Sequence, residues 1–242
     1  MRGVFVFWFL LATCVPAAPA LANEAESSPI TIGRQKAMQL LDVSSPLQDM
    51  KNQFVSNFIS SFNKSIDTDA RFAPLEARKP GLRKALKAAV AAETERQATP
   101  ELSLVRRHLA DLFEQVLTIQ DMDTAIAFFS SPAGTRIKQR MMAGSQAQID
   151  QMRETGELRR DLNAGLEKVV NSAAASGLEN MSAEDSLAVV KFGQTPASRK
   201  MEAIRPQFMS MMSNEMQVMA GRVVKKISPV VGKAIADHMS KK

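Results

Sequence analysis

The chain has 242 residues, a formal net charge of +6 and a single cysteine, Cys14. Because one cysteine cannot form an intramolecular disulfide, the fold must be held by core packing. The sequence contains no tyrosine and one tryptophan, so it lacks the aromatic side chains on which single-stranded nucleic acids stack. The composition therefore excludes nucleic acid as the expected partner.

The first 22 residues have the pattern of a secretory signal peptide. Arg2 is a minimal basic start, residues 4–12 form a short apolar stretch, and Ala20 and Ala22 are the small residues that a signal peptidase recognises. The apolar stretch is too short for a stable membrane-spanning helix, which needs about 20 residues. We therefore expect residues 1–22 to direct export across the inner membrane and to be removed.

Removal of that segment would leave a periplasmic chain that starts at Asn23. An alternative is a lipoprotein with the lipid on Cys14, but Thr13 is bulkier than the small residue usual before such a cysteine. Residues 23–33 are expected to form a flexible N-terminus, and residues 34–242 a helical domain.

From residue 34 onward, apolar residues recur at the three- and four-residue spacing of amphipathic helices, and no alternating strand pattern is found. The spacing predicts a helix that opens near Ser45 and a loop over residues 67–80. A helix that contains Leu82 and Leu86 follows the loop.

A separate helix is predicted to begin where Thr99 acts as N-cap and Pro100 occupies the first turn. Two longer helices, Pro132 to Glu154 and Pro196 to Ile227, are expected to form the backbone of the bundle. The predicted fold class is all-α, a multi-helix bundle with two helix–corner–helix repeats.

The repeats are residues 117–138 and 181–202, which align at an offset of 64 residues (181 minus 117). They share a capping hydroxyl, an acid in the first helical turn, an aromatic before a corner, a second capping hydroxyl, and a proline that opens the next helix. These positions are Thr118, Asp121, Phe128, Ser131 and Pro132 in the first unit, and Ser182, Asp185, Phe192, Thr195 and Pro196 in the second. Gly134 allows close helix approach in the first unit, where the second has Ser198.

The sequence LTIQDMDTAIAFFSSPAGTRIK of the first unit resembles the domain of unknown function 2059, which occurs in exported bacterial proteins. The features that carry the resemblance are the Thr-capped helix, the aromatic pair and the Ser-Pro-x-Gly sequence that opens the next helix. The second unit departs from this pattern, because Gly193 replaces the second aromatic and Ser198 replaces the glycine. The resemblance implies a periplasmic helical protein and implies no reaction.

The sequence contains no Gly-x-Ser-x-Gly elbow, no phosphate-binding Gly-Lys-Ser/Thr loop and no His-Glu-x-x-His motif. His108 could share a helical face with Asp111 and Glu114 and bind a metal, but a solvated surface histidine is the favoured interpretation. Glu93 and Glu95 are two positions apart on a helix and so point in different directions, which disfavours an acid–base pair. We therefore predict no catalytic residue, cofactor or metal.

Methionines are concentrated in one predicted helix. Three of them, Met212, Met216 and Met219, fall on one helical stripe. Flexible methionines filling the core are the favoured interpretation, and a groove for a partner protein and a copper(I) site are the alternatives.

The C-terminal segment from Gly221 combines apolar residues with cations. Its basic residues include Arg222, Lys225, Lys226 and Lys233. Such a segment usually packs its apolar side on the bundle, and the alternative is contact with an anionic membrane surface.

The function predicted from the sequence is that of a non-enzymatic protein of the cell envelope that binds a partner protein. The two alternatives are a module that binds anionic lipid or lipopolysaccharide and an enzyme whose site is not recognised.

Overall fold

The structure is a computed structural model that describes residues 31–155 and 162–240. The expected signal peptide at residues 1–22, Cys14 with its lipoprotein alternative, and residues 23–30 lie outside the described residues. Within the described ranges the fold is all-α and contains no strand. The helices are α1 (Ile32–Ser44), α2 (Leu47–Thr68), α3 (Phe72–Arg78), α4 (Leu82–Val116), α5 (Ile119–Ser130), α6 (Pro132–Thr155), α7 (Leu162–Leu178), α8 (Ala183–Gly193), α9 (Pro196–Ala203) and α10 (Arg205–Ser240).

The predicted boundaries of the flexible N-terminal segment and of the loop over residues 67–80 are corrected by the structure. The Thr31 hydroxyl accepts a hydrogen bond from the Arg34 backbone N–H, so α1 already begins at Ile32, inside the segment expected to be flexible. The loop predicted for residues 67–80 contains the short helix α3 and the end of α2. The helix predicted near Ser45 is α2, which Pro46 precedes.

The helix break predicted at Thr99 and Pro100 is wrong, because α4 runs through both residues. A proline inside a helix removes one backbone hydrogen bond. The neighbouring Ala98 and Leu102 are fully buried, so tertiary packing holds the helix across the proline.

The long helix predicted from Pro132 to Glu154 is confirmed as α6. The helix predicted from Pro196 to Ile227 is instead divided into α9 and α10 at Ile204. Pro206 lies just after this break, and its missing N–H leaves the carbonyl four residues earlier without a helical donor.

Two long antiparallel pairs form the centre of the bundle. Helix α6 packs along α7, and α10 packs along α4, while α1 and α2 cover other sides of α4. The main core is apolar and includes Phe54, Leu102, Phe113, Met141 and Met219.

Two basic side chains close the C-terminal end of α1. The buried Arg106 guanidinium donates to the carbonyls of Leu41 and Ser45 and pairs with Asp42. Lys138 donates to the Val43 carbonyl at 2.5 Å. Cations at the C-terminal end of a helix donate to its last carbonyls and complement the helix dipole, so these contacts fix α1 on the bundle.

Candidate interaction site

The two repeat units fold as equivalent helix–corner–helix elements. In the first, the Ser131 hydroxyl donates to the Phe128 carbonyl at 2.7 Å and accepts from the Gly134 N–H at 3.0 Å. In the second, the Thr195 hydroxyl donates to the Phe192 carbonyl at 2.7 Å, and it accepts from the Ser198 N–H at 3.2 Å. Pro132 and Pro196 open the next helix in each unit. The predicted corners are confirmed.

The predicted N-caps of the units are also present. Thr118 and Asp121 form a capping box, in which each side chain accepts from the backbone N–H of the other. The Ser182 hydroxyl accepts from the Asp185 N–H at 3.0 Å. Both acids lie in the first turn of their helices, where negative charge complements the helix dipole.

The two units exchange ion pairs across their contact. Lys200 Nζ of the second unit lies 2.5 Å from Asp121 Oδ2 of the first. Arg136 Nη2 of the first unit lies 2.6 Å from Asp185 Oδ1 of the second, which also pairs with Arg140 at 2.8 Å. Because the acids and the cations each occupy equivalent positions in the repeats, the arrangement is that of an approximate two-fold axis.

The aromatic residues and the helix packing follow the same symmetry. The rings of Phe128 and Phe192 stack on each other, with centroids 4.3 Å apart and planes at 10°. Helix α6 of the first unit packs on α7, which precedes the second unit, and α10, which follows the second unit, packs on α4, which precedes the first. The units are therefore interlocked.

The exchanged pairs shift the acidities of both aspartates. Burial raises the pKa of Asp121, but hydrogen bonds from Lys200 and Thr118 outweigh it and leave the pKa below its usual value. Hydrogen bonds from Arg136 and Arg140 lower the pKa of Asp185. A carboxyl with a lowered pKa binds fewer protons in the folded than in the unfolded state, so its contribution to stability is present above the unfolded pKa and is lost as pH falls.

We expect the free energy of unfolding to fall as pH is lowered below about 4, and to fall less in an Asp185→Asn variant. The variant is less stable than the natural chain at pH 7, and the difference shrinks at pH 3. Urea unfolding monitored by circular dichroism at both pH values measures this. Asp237→Asn, which removes an exposed pair with Lys233, is the matched control and leaves the pH dependence nearly unchanged. Parallel pH profiles for the natural chain and Asp185→Asn would contradict the role of the exchanged pairs.

The units differ in what covers the outer side of their first helix. Helix α1 packs on α5, where Met122 is buried and Asp123 pairs with Lys36 at 2.7 Å. Among the described residues no helix covers the equivalent side of α8. Leu187 replaces Asp123 in the alignment and is 54% exposed. Val190 is 40% exposed.

We call this outward side of α8 the α8 face. It consists of Ala183, Leu187, Val190 and Gln194, with Glu184 and Lys191 on one flank, all of them exposed. Two exposed aliphatic side chains one helical turn apart form a small apolar surface with charged residues on one flank.

Other candidate residues from the sequence are placed elsewhere. Met212, Met216 and Met219 are 3%, 7% and 0% exposed and belong to the core, so the partner-groove alternative for this stripe is wrong. Thioethers suit the irregular space between α10 and its neighbours because they are unbranched and flexible.

The histidine and glutamate candidates are not brought together. His108 Nδ1 lies 2.8 Å from Glu215 Oε1, while Asp111 pairs with Arg34 and Glu114 contacts Thr31. In the chain from 31 to 155 and from 162 to 240, no group of three potential metal-ligating side chains is assembled.

The glutamates weighed as an acid–base pair also have separate partners. Glu93 pairs with Arg96 at 2.6 Å, and Glu95 pairs with Lys51 at the same distance. The two carboxylates therefore have different cationic partners.

The basic C-terminal segment packs on the bundle. Arg222 and Lys226 both pair with the buried Glu101, at 2.5 and 2.7 Å, and Lys233 pairs with Asp237. Lys225 is exposed. The apolar Val223 and Ile227 are buried, and the last turns of α10 pack on α3 and α4.

Sequence reasoning missed Glu101, Arg140 and the α8 face. The offset alignment contained a signal for the last, because Leu187 stands where the first unit has the acidic Asp123. Nothing local to Glu101 reveals that α10, 121 and 125 residues away, provides its two cations.

No helix in the described part of the chain has the combination of length and hydropathy that crossing a membrane requires. No curated protein and no solved structure matches the chain.

Residues 105–158 match the family model DUF2059, described as an uncharacterized protein conserved in bacteria. The match begins within α4, contains α5 and α6, and thus covers the first repeat unit with the helix that leads into it. The aromatic pair and the Ser-Pro-x-Gly corner that suggested this family both lie within the match. The first repeat unit of the chain is therefore similar to the DUF2059 family.

Proposed function

We propose that the chain is a periplasmic helical protein of the bacterial cell envelope, without enzymatic activity, that binds another polypeptide chain through the α8 face. The observation that carries the proposal is the unequal covering of the two units. One unit buries the outer side of its first helix under α1, and the other exposes Leu187 and Val190 at the equivalent place. The pattern of residues 1–22 supports the location.

The mode of binding follows from the covered unit. There, an amphipathic helix places Ala37, Leu40 and Leu41 in the core and pairs Lys36 with Asp123. The same helix–corner–helix frame in the second unit offers an apolar surface of similar position and no acid at the place of Asp123. We therefore infer that the α8 face binds a helix and that its central contact is apolar.

The alternative of an anionic lipid or lipopolysaccharide surface is less well supported by the contacts of α10. Membrane association of an amphipathic helix needs its apolar side and its cations at the surface. Val223 and Ile227 are buried in the bundle, and Arg222 and Lys226 are paired with Glu101.

The proposal is tested with a photo-reactive amino acid at position 187 or 190 of the chain in living cells. We expect one discrete cross-linked product from each position, identified by mass spectrometry. Each product should be lost when the other of the two apolar residues, Val190 or Leu187, is changed to glutamate. Lys64, exposed on α2, is the control position and should give no such product. Fractionation should recover the product in the periplasm. Efficient incorporation without a product at either α8 position would contradict the proposal.

A further inference from the structure

We infer that the α8 face binds the α8 face of a second copy of this chain, with the two helices antiparallel about a two-fold axis. This inference rests on the proposed function and names the occupant of the same surface. It is carried by the distribution of charge and apolar side chains along α8.

The charged flank of the face is complementary to itself. Glu184 and Lys191 are seven residues apart (191 minus 184), so they lie two turns apart on the same side of the helix. In an antiparallel helix pair, residues on the same flank of the two helices face each other in opposite order. Glu184 of each copy therefore meets Lys191 of the other, and the two-fold axis makes this contact twice.

Both charges are available for this contact. The Glu184 side chain is 79% exposed and lies 3.7 Å from Arg136, whose closer partner is Asp185 at 2.6 Å. Lys191 is exposed in the last turn of α8. Neither charge has to leave a buried partner to reach a second copy.

The apolar centre of the face lies within one residue of the same axis. Leu187 and Val190 lie between the two charges along the helix, so an axis that passes between them places each Leu187 opposite Val190 of the second copy. Ala183 and Gln194 then meet at the two ends of the contact. In a parallel two-fold pair the charged flanks of the two copies would lie on opposite sides of the contact, so these ion pairs could not form.

The contact has the size of a reversible association. Helix α8 has 11 residues, and its outward side is far smaller than the roughly 800 Å² per partner that stable interfaces bury. We therefore expect monomer and dimer to exchange with concentration.

Sedimentation equilibrium of the purified periplasmic protein, without the expected signal peptide of residues 1–22, tests the inference over a wide concentration range. Glu184→Lys or Lys191→Glu alone turns two attractive contacts into two repulsive ones and should weaken dimerisation about tenfold. The double variant restores the complementary charges in reversed order and should return the dimerisation constant to within about twofold of the natural value. Leu187→Glu should abolish the dimer. Circular dichroism establishes that each variant is folded.

A natural chain that is monomeric at every concentration, or a double variant no better than the single ones, would overturn the inference. If photo-cross-linking from α8 then captures a different protein, the proposed function stands and the second copy is wrong. If sedimentation shows no dimer and photo-cross-linking gives no product, both the proposed function and the dimer are wrong.

Discussion

Replacing Gly134 with alanine is expected to lower the free energy of unfolding by about 3 kcal/mol. A Cβ at this position would lie 2.1 Å from the carbonyl oxygen of Phe128 and 2.9 Å from its carbonyl carbon. These are backbone atoms at the corner between α5 and α6, so they cannot turn aside as a side chain could. The same carbonyl accepts from Ser131, and its displacement would disturb the cap of α6.

Gly232→Ala is the matched control, because a Cβ there meets no atom within 4 Å and the residue lies inside α10. This change should raise stability by up to about 1 kcal/mol, through the better helix propensity of alanine. Urea unfolding at pH 7 measures both variants. Equal effects of the two replacements would show that the corner does not need a glycine at position 134.

Replacing Phe128 with alanine is expected to cost about 4 kcal/mol of stability. The side chain is buried, stacks on Phe192, and meets Phe129 edge to face at 5.2 Å between centroids. Phe192→Ala should have a similar effect, since the two rings occupy equivalent places in the two units.

The double variant distinguishes a shared contact from two independent cavities. Because the rings stack, we expect the two losses to be non-additive by about 1 kcal/mol. Phe72, on α3, provides the comparison: its alanine variant combined with Phe128→Ala should give additive losses. Additive losses for Phe128 and Phe192 would contradict energetic coupling between the units at this stack.

The accuracy of the sequence predictions follows the distance over which each interaction acts. The caps at Thr118 and Ser182 and the corners at Pro132 and Pro196 were predicted correctly, because each is determined by residues within four positions. The break at Pro100 was predicted from the same local rule and is wrong, because burial of the surrounding helix outweighs one missing hydrogen bond.

Contacts between distant segments were not predictable from local pattern. Lys200 is 79 residues from Asp121, and Arg136 is 49 residues from Asp185, so only the fold shows that each unit supplies the other's counter-charge. The α8 face had a visible sequence feature in Leu187, but its exposure depends on α1 covering one unit and leaving the other open.

The exchanged pairs also limit how far this chain can be truncated and still fold. The family match ends at residue 158, before α7, α8 and α9. A fragment that stops there loses Lys200 beside Asp121, the ring that stacks on Phe128, and the helix that packs along α6. Its inner surfaces would be exposed to water, so the stretch that matches the family model is shorter than the unit that folds.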